Sequence, residues 1–338
     1  MKIVIDAFGG DFAPDVPVEA SVMAVNNQAD IEIILTGKKE IIEEKLSKFK
    51  YDKNRIEIVD CREVITNHDE PVKAVKTKKD SSMVVGVKIL ADGGADAFLS
   101  MGSTGALLSS ALLIVGRIKG VLRPALATMI PTDKGGKLLL DAGANTNCKP
   151  EVLLQFAKMG SIYMQKVQGV DNPKVGLVNN GAEEEKGTPL TKEAHQLLKN
   201  NNLGINFIGN LEGREMMEGV ADVIVADGFT GNIILKTLEG MGKVVGKSLK
   251  EIFGGGIIKK IAALFVYKDL KAFKGKMDYR VYGGAPLIGI KRPVVKGHGS
   301  SDTLAAYSCI MGVRKIVLGN VTGEIERVLK NNGEESLI

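Results

Sequence analysis

Five apolar, β-prone runs in this chain each end abruptly in a loop of small and polar residues, and a segment with helical periodicity follows each loop. Such alternation predicts an α/β fold with an open, mostly parallel, Rossmann-like sheet flanked by helices. In such sheets, ligands bind outside the carboxyl ends of the strands, where backbone N–H groups and helix dipoles attract anions. The loops therefore predict a shared site for a phosphate-sized anion. The runs are IVIDAFGGD (Ile3–Asp11), AFLSMGSTG (Ala97–Gly105), LLLDAGANTN (Leu138–Asn147), VGLVNNGAEEEKG (Val175–Gly187) and VIVADGFTGN (Val223–Asn232).

The composition fits one α/β domain over residues 1–338, because no linker, repeat or compositional shift marks a boundary. Aromatic residues make up 5% of the chain and Trp is absent, so few side chains could stack on bases and we expect no nucleic acid partner. The longest nearly apolar run, Ala106–Val115, is far shorter than the roughly 20 residues that span a bilayer. No signal peptide is visible, so we expect a cytoplasmic protein.

Familiar nucleotide, hydrolase and metal motifs do not fit this sequence. The run GMGKVVGKS (Gly240–Ser248) lacks Walker A and dinucleotide spacing, and it lies inside a predicted helix, Asn232–Phe253, rather than after a strand. We interpret its glycines as a means of close helix packing. The isolated His68, His195 and His298 form no HExxH pair and the three cysteines form no CxxC pair, so we expect no metal and no cofactor.

We expect different environments for two of these histidines. His195 lies on a predicted helix between Lys192 and Lys199, which favours a solvated surface position. His298 lies between glycines in KGHGSSD, so it is either a hydrogen-bonded structural residue or part of the site.

The loop VNNGAEEEKG contains side chains suited to binding an anion. Asn180 offers an amide donor, and Gly181 lets the backbone approach closely. Lys186 could pair with phosphate or stabilise a developing oxyanion. The alternative is a plain helix N-terminus whose acidic residues complement the helix dipole.

In the loop ADGFTGN, Asp227 is predicted to end a buried strand. An uncompensated charge there is costly, so Asp227 needs a partner, for which Lys186 is a candidate. Asp227 or Thr230 could cap the next helix, and Asn232 in its first turn could donate to a ligand oxygen. An ordinary βα turn explains the same residues.

Two further loops add hydroxyl and amide groups. Ser103 and Thr104 lie between glycines, with Gly105 at the start of a helix, which is typical of a phosphate or oxyanion nest. Asn145 adds an amide in DAGANTN. Because no activated nucleophile is obvious, direct attack of one bound reactant on another fits best, and inorganic phosphate is such a nucleophile.

Six motifs occur in this order along the chain: MKIVIDAFGGDFAPD, SMGSTGA, DAGAN, GLVNNGAEEEKG, VADGFTGN and KGHGSSD. With them the chain strongly resembles the phosphate acyltransferases of bacterial phospholipid synthesis. The resemblance implies transfer of a fatty acyl group from acyl carrier protein to orthophosphate, giving acyl phosphate for glycerol-3-phosphate acylation. It also implies a fold similar to phosphotransacetylase and the isocitrate and isopropylmalate dehydrogenases. A homodimer, peripheral contact with an anionic membrane and contact with the downstream membrane acyltransferase are implied as well.

The resemblance places the reaction around Lys186, Asp227 and Asn232. On this interpretation, phosphate lies in the Ser103–Thr104–Gly105 turn with help from Asn180 and Asn232. Lys186 neutralises charge on phosphate or on the thioester oxygen, and Asp227 is one candidate for orienting these groups. The remaining candidates for orienting or contacting substrate are Asn145, Gly181 and His298.

Residues 252–280 contain seven basic and two acidic side chains and so account for the net charge of +5. We predict a protruding amphipathic helical hairpin over these residues. Such a hairpin suits an anionic membrane surface or an acidic carrier protein, and a dimer-interface helix pair is the alternative. The contact residues expected on it are Ile258, Ile261, Leu264 and Phe265, with Lys259 and Lys260 beside them.

Two other functions remain open at this point. A dehydrogenase sharing the wider fold needs a nicotinamide site and grouped acidic metal ligands, and neither is apparent in the sequence. A non-catalytic scaffold that docks partners at the membrane through the basic hairpin leaves the five loops unexplained.

Overall fold

The computed structural model describes residues 1–256, 259, 263–270, 275 and 283–333. Strands and helices alternate along most of the chain, and a π-helical turn, Ala111–Val115, continues one of the helices. In chain order the elements are β1 (Lys2–Asp6), α1 (Asp15–Asn27), β2 (Glu32–Gly37), α2 (Lys39–Leu46), β3 (Ile56–Asp60), α3 (Pro71–Thr77), α4 (Ser82–Ala91), β4 (Ala97–Ser100), α5 (Thr104–Ser110), β5 (Ala125–Thr132), β6 (Gly135–Leu140), α6 (Pro150–Gln168), β7 (Lys174–Val178), α7 (Pro189–Lys199), β8 (Asn206–Leu211), α8 (Gly213–Glu218), β9 (Val223–Val225), α9 (Gly228–Gly254), β10 (Ala285–Ile288), β11 (Val294–Lys296), α10 (Thr303–Leu318) and α11 (Val321–Gly333).

Contacts between Cα atoms divide the chain into two compact units. Unit 1 contains Met1–Ala127, Ile162–Asp171 and Tyr282–Ile338, and unit 2 contains Thr128–Ser161 and Asn172–Val281. No change in composition marks these boundaries in the sequence. This division into units does not test whether residues 1–338 act as a single acyltransferase domain, which stays a prediction.

The sheet of unit 1 has the strand order β3-β2-β1-β4-β11-β10, and the first two residues of β5, which belong to unit 1, pair with β10. The first five strands run parallel, with Val4 paired to both Ile34 and Phe98, and β10 runs antiparallel to both of its neighbours. Helix α4 packs directly on this sheet, because a Cβ added at Gly86 would lie 2.4 Å from Cε2 of Phe98. Phe98 is fully buried and lies at the centre of the core of unit 1.

The sheet of unit 2 has the order β6-β9-β7-β8, and its strands run parallel. The apolar residues of β6 and β9 are fully buried, as expected for strands covered on both faces. The register of β7 against β8 shifts between Val175 and Leu177, where Leu211 covers Gly176. The predicted fold class, a mostly parallel α/β sheet flanked by helices, is confirmed.

Each of the five loops lies between a parallel strand and a helix, as the sequence predicts. In unit 1 they connect β1 to α1 and β4 to α5. In unit 2 they connect β6 to α6, β7 to α7 and β9 to α9. Because parallel strands end at the same edge, the loops within each unit lie at one edge of its sheet.

The sequence pattern favours one long final helix over Ser301–Lys330, and this prediction is wrong because two helices occupy the range. Helix α10 ends before Gly319, and α11 begins after Asn320. Asn320 has φ 46°, a left-handed conformation that interrupts a helix. A Cβ added at Gly319 would lie 2.8 Å from the carbonyl oxygen of Lys166, so α6 approaches closely there.

The sequence pattern does not indicate α3, β8 or β11. Helix α3 lies in a stretch that appears only polar and lysine-rich in the sequence, Asn67–Asp80. The Glu70 carboxylate accepts hydrogen bonds from the N–H groups of Val72 and Lys73, and Pro71 occupies the first turn. A local cap therefore starts this helix where apolar periodicity gives no signal.

The run Gly240–Ser248 lies inside α9, as expected for a sequence without a nucleotide motif. No atom of the described chain lies within 4 Å of a Cβ added at Gly240, Gly242 or Gly246. The interpretation of these glycines as packing residues is therefore wrong for contacts within the described part of the chain.

Gly176 gives a direct test of packing in unit 2. A Cβ at this position would lie 2.1 Å from Cδ1 of the buried Leu211, so Gly176→Ala should lower the free energy of unfolding by about 1–3 kcal/mol. The matched control is Gly213→Ala on α8, where no described atom lies within 4 Å, and which should be neutral or stabilising by up to about 1 kcal/mol. Urea unfolding measures both, and equal stabilities of the two variants would contradict this packing.

Candidate active site

The loop after β6 folds around a buried carboxylate. Oδ1 of Asp141 accepts hydrogen bonds from the N–H groups of Gly143 and Ala144, at 3.1 and 3.0 Å. Oδ2 accepts from the backbone N–H and the side-chain amide of Asn145, at 2.7 and 2.8 Å. These donors compensate a charge that has no exposure to solvent, and they fix the path of the loop. The Asn145 amide, a predicted substrate contact, donates here to Asp141.

The start of α9 packs against this loop through two glycines. The N–H of Gly228 donates to the carbonyl oxygen of Asn145 at 2.7 Å, and a Cβ at Gly228 would lie 2.7 Å from that oxygen. A Cβ at Gly231 would lie 1.9 Å from the carbonyl oxygen of Asp141. Asn232 follows, and its Cβ lies 3.4 Å from where a Cβ on Gly143 would be. The glycines of VADGFTGN therefore bring the exposed Asn232 beside the loop after β6.

Asp227 is the N-cap of α9. Its Oδ1 accepts hydrogen bonds from the N–H groups of Phe229 and Thr230, each at 3.0 Å, and its Oδ2 accepts from the Thr230 hydroxyl at 2.7 Å. These donors, rather than Lys186, compensate the carboxylate. The prediction that Asp227 ends a buried strand is wrong, since β9 ends at Val225 and Asp227 is half-buried. The predicted capping role is confirmed.

The loop after β7 presents Lys186 on a short backbone segment held at both ends. The Asn179 amide donates to the carbonyl oxygen of Lys186 at 3.1 Å, and the N–H of Lys186 donates to the carbonyl oxygen of Glu183 at 3.2 Å. Gly181 is a buried residue of the same loop, and a Cβ there would lie 2.8 Å from Cγ of Lys186. The side chains of Lys186 and Asn180 are exposed. Asn179, which the sequence also offers as an amide donor, therefore anchors the loop through the backbone of Lys186.

His195 is buried beneath this loop, so the prediction of a solvated surface histidine is wrong. Its exposure is 3% because the side of α7 that carries Ala194, His195 and Leu198 packs against β8. The lysines at 192 and 199 lie on the exposed side of the same helix.

In unit 1, the loop after β4 is built on a second buried carboxylate. Oδ2 of Asp6 accepts from the Ser100 hydroxyl at 2.7 Å, and the Ser100 oxygen accepts from the N–H of Gly102 at 3.0 Å. Burial raises the pKa of Asp6, against the lowering effect of its hydrogen bonds and of the Lys296 ammonium. A Cβ at Gly9 would lie 2.6 Å from Asp6 Oδ2, so the loops after β1 and β4 require glycine where they meet.

The predicted phosphate nest, Ser103–Thr104–Gly105, comes directly after Gly102 in the chain. Ser103 is buried, Thr104 is exposed at the start of α5, and an added Cβ at Gly105 would lie 2.7 Å from Cγ of Pro71. The neighbouring strand β11 ends in Lys296, whose ammonium donates to the carbonyl oxygen of Met101 at 3.3 Å. The sequence prediction does not single out Lys296, although it ends the apolar run VV and is the first residue of the motif KGHGSSD.

His298 lies in the loop after β11, next to the loops after β1 and β4. The Ser300 N–H donates to its Nδ1 at 3.2 Å, and the Ser300 hydroxyl contacts the same nitrogen at 2.9 Å. The N–H of Asp11 donates to the carbonyl oxygen of Gly299 at 2.8 Å. Unit 1 thus brings His298 to the same sheet edge as Ser103, Thr104 and Gly105. Unit 2 brings together Asn145, Asn180, Gly181, Lys186, Asp227 and Asn232.

The basic segment is described in part. Ile258, Lys260 and Ile261 lie outside the described residues. Lys259 is exposed, and Leu264 and Phe265 are 75% and 86% exposed.

Among the described residues no single helix is long and apolar enough to cross a membrane, and α10 and α11 reach that length and composition only as a pair bent by 40°. In the described ranges, no group of His, Cys, Asp and Glu side chains is arranged to hold a metal ion.

Comparisons with known proteins agree over nearly the whole chain. The sequence model of a family described as fatty acid synthesis protein matches residues 1–323. A phosphate acyltransferase of Alkaliphilus oremlandii is 52% identical over 99% of both chains. One from Clostridioides difficile is 46% identical over 99% of this chain and 98% of the relative.

Solved structures extend the agreement to the fold. A phosphotransacetylase from Streptococcus pyogenes superposes with a TM-score of 0.62 at 17% identity, covering 96% of this chain and 94% of the other. A branched-chain phosphotransacylase from Enterococcus faecalis gives 0.57 at 16% identity, covering 94% and 99%. At these identities the likeness shows the fold alone.

The geometry of Asp227 predicts that its side chain stabilises α9 as a hydrogen-bond acceptor. Asp227→Ala should lower the free energy of unfolding by about 1 kcal/mol, whereas Asp227→Asn, which keeps a capping oxygen, should cost little. Thermal and urea unfolding of both variants provide the comparison. Equal losses in the two variants would show that the negative charge, not the cap, matters to stability.

Proposed function

The chain belongs to the fatty acid synthesis protein family and is an acyltransferase, and from this premise we propose that it transfers a fatty acyl group from acyl carrier protein to orthophosphate. The observation that carries the proposal is the match to phosphate acyltransferases over 99% of the chain. The acyl phosphate formed would supply phospholipid synthesis. A direct attack accounts for the chemistry. A phosphate oxygen bonds to the thioester carbonyl carbon, the carbon–sulfur bond breaks, and the departing thiolate takes a proton to become the free thiol.

The state of the cysteines supports direct attack over an acyl-enzyme. Burial raises the pKa of both Cys61 and Cys309 to about 12, which keeps their thiols protonated and poorly nucleophilic. Cys148 lies in the loop after β6, where its S–H donates to the carbonyl oxygen of Asn145 at 3.5 Å. Among the described cysteines, none is arranged as an activated nucleophile.

Lys186 is the residue that we propose for charge stabilisation. Its ammonium is exposed, while hydrogen bonds to its own N–H and carbonyl oxygen hold the backbone. A fixed cation of this kind lowers the energy of a transition state in which charge develops on the thioester oxygen. Asn180 and Asn232 are exposed amides at the same sheet edge, and we propose that they donate to oxygens of the reactants. Asp227 acts on Asn232 by capping the helix that carries it.

The Ser103–Thr104–Gly105 turn is proposed to bind phosphate in unit 1. The buried network of Asp6 and Ser100 holds the N–H of Gly102 at the entrance to this turn. Lys296 adds a positive charge at the end of the neighbouring strand, where a phosphate dianion would benefit from it. His298 is proposed to orient the polar groups of this edge.

The proposal includes a homodimer in contact with an anionic membrane and with the downstream membrane acyltransferase. Helix α9 supports the dimer, because Ile233, Met241 and Val244 are exposed on it and its glycines leave room for a close approach. The exposed Leu264 and Phe265, near Lys259, support contact with a lipid surface or with the carrier protein.

Removing the ammonium tests the acyl transfer. Acyl carrier protein thioester and phosphate should yield acyl phosphate and free carrier thiol, and Lys186→Ala should reduce kcat/KM about 100- to 1,000-fold. Lys192→Ala, which removes an exposed lysine from the nearby α7, is the matched control and should retain wild-type turnover. Thiol release and acyl phosphate are measured in parallel. Absence of both products with the wild-type protein would refute the function, and wild-type turnover in Lys186→Ala would remove Lys186 from the site.

Acidic side chains placed on the basic segment test the membrane contact. Leu264→Glu with Phe265→Glu should weaken binding to vesicles of anionic phospholipid about tenfold or more, because two apolar side chains proposed to enter the lipid would be lost. Leu318→Glu replaces another exposed apolar side chain, on α10, and should leave binding unchanged. Sedimentation with vesicles gives the bound fraction. Undiminished binding by the double variant would show that this segment is not the anchor.

A further inference from the structure

A buried imidazole lies beneath the loop that carries Lys186. His195 projects from α7, and its ring meets the ring of Phe207 on β8 edge-on, with centroids 5.1 Å apart. Its Nδ1 lies 2.9 Å from Oδ1 of Asn210. The ring is therefore fixed by one aromatic contact and one hydrogen bond.

The hydrogen bonds determine which ring nitrogen carries the proton. The Asn210 amide nitrogen donates to the carbonyl oxygen of Glu183 at 2.8 Å, so the Asn210 oxygen is the atom that faces the ring. An oxygen accepts, and Nδ1 of His195 must therefore be protonated. In the neutral ring Nε2 is then an acceptor, and it lies 3.9 Å from the carboxylate of Glu184, which is itself paired to Lys199 at 2.7 Å.

The same carbonyl oxygen connects the ring to Lys186. The oxygen of Glu183 accepts from the Asn210 amide and also from the N–H of Lys186, at 3.2 Å. From the opposite side, the Asn179 amide donates to the carbonyl oxygen of Lys186. Three successive hydrogen bonds thus run from the buried imidazole to the backbone of the exposed lysine.

We propose that His195 is a positioning residue for the acyl transfer. Through Asn210 it holds the Glu183 carbonyl, and so it fixes the direction in which Lys186 presents its ammonium. The inference rests on the proposed role of Lys186. A loop with a free Glu183 carbonyl would sample other backbone paths, and the ammonium would spend less time where the thioester oxygen develops charge.

A mutant cycle distinguishes this role from a general contribution to stability. His195→Leu removes the donor at similar volume, and it should lower kcat about tenfold, the usual effect of losing one buried hydrogen bond, with little change in KM. In the Lys186→Ala background the same substitution should change kcat less than about twofold, because the group it positions is gone. His195→Asn, whose amide can replace Nδ1–H, should restore most of the activity. An equal fall of kcat in both backgrounds would overturn the proposal.

Two measurements without substrate separate this inference from the proposed function. The imidazole ¹⁵N shifts of the wild-type protein should report a proton on Nδ1. Hydrogen exchange at the Lys186 N–H should accelerate about tenfold in His195→Leu and not in His195→Asn. A ring without a proton on Nδ1, or unchanged exchange, overturns the positioning role even if acyl transfer is observed. Positive results from both, with no acyl transfer, would leave the link intact and refute the proposed function instead.

Discussion

The candidate loops of each unit depend on one buried carboxylate, Asp141 in unit 2 and Asp6 in unit 1. Each carboxylate is buried where a strand ends and needs hydrogen-bond donors there. A buried charge without partners costs several kcal/mol, so each carboxylate must be surrounded by hydrogen-bond donors. Around Asp141 these donors are three backbone N–H groups and the Asn145 amide. The loop that results leaves no room for side chains where α9 begins, which is why glycine occupies positions 228 and 231. The polar interior of the loop thus determines how closely α9 approaches.

In two loops of unit 2, an exposed polar side chain is carried on backbone that other residues hold in place. Lys186 and Asn232 reach solvent, while the residues that fix them are buried or engaged in capping. Asp227 holds the first turn of α9, and His195 with Asn210 holds the loop after β7. Rigid support of this kind lowers the reorganisation that a reaction would otherwise require. It also allows catalysis by positioning, without a covalent intermediate on the protein.

Local patterns in the sequence predict the fold and the five loops, because apolar runs, glycines and helix starts are short-range signals. The same reasoning fails where a contact comes from a distant element. His195 appears solvated between two lysines, yet Asn210 and Phe207 on β8 bury it. Lys296 reaches Met101 across 195 residues of chain. Asp227 is the opposite case, because its donors lie in its own helix and not in the distant Lys186. The break at Asn320 depends on one left-handed residue that helical periodicity cannot reveal.

The central claim is that bound phosphate attacks the thioester directly, and a single-turnover experiment without phosphate tests it. Enzyme at a concentration comparable to that of the acyl carrier protein thioester is mixed rapidly, and free carrier thiol is followed before and after phosphate is added. Direct attack predicts no thiol release until phosphate arrives, and then acyl phosphate equal to the thiol released. A burst of thiol equal to the enzyme concentration in the absence of phosphate would reveal an acyl-enzyme and contradict the account.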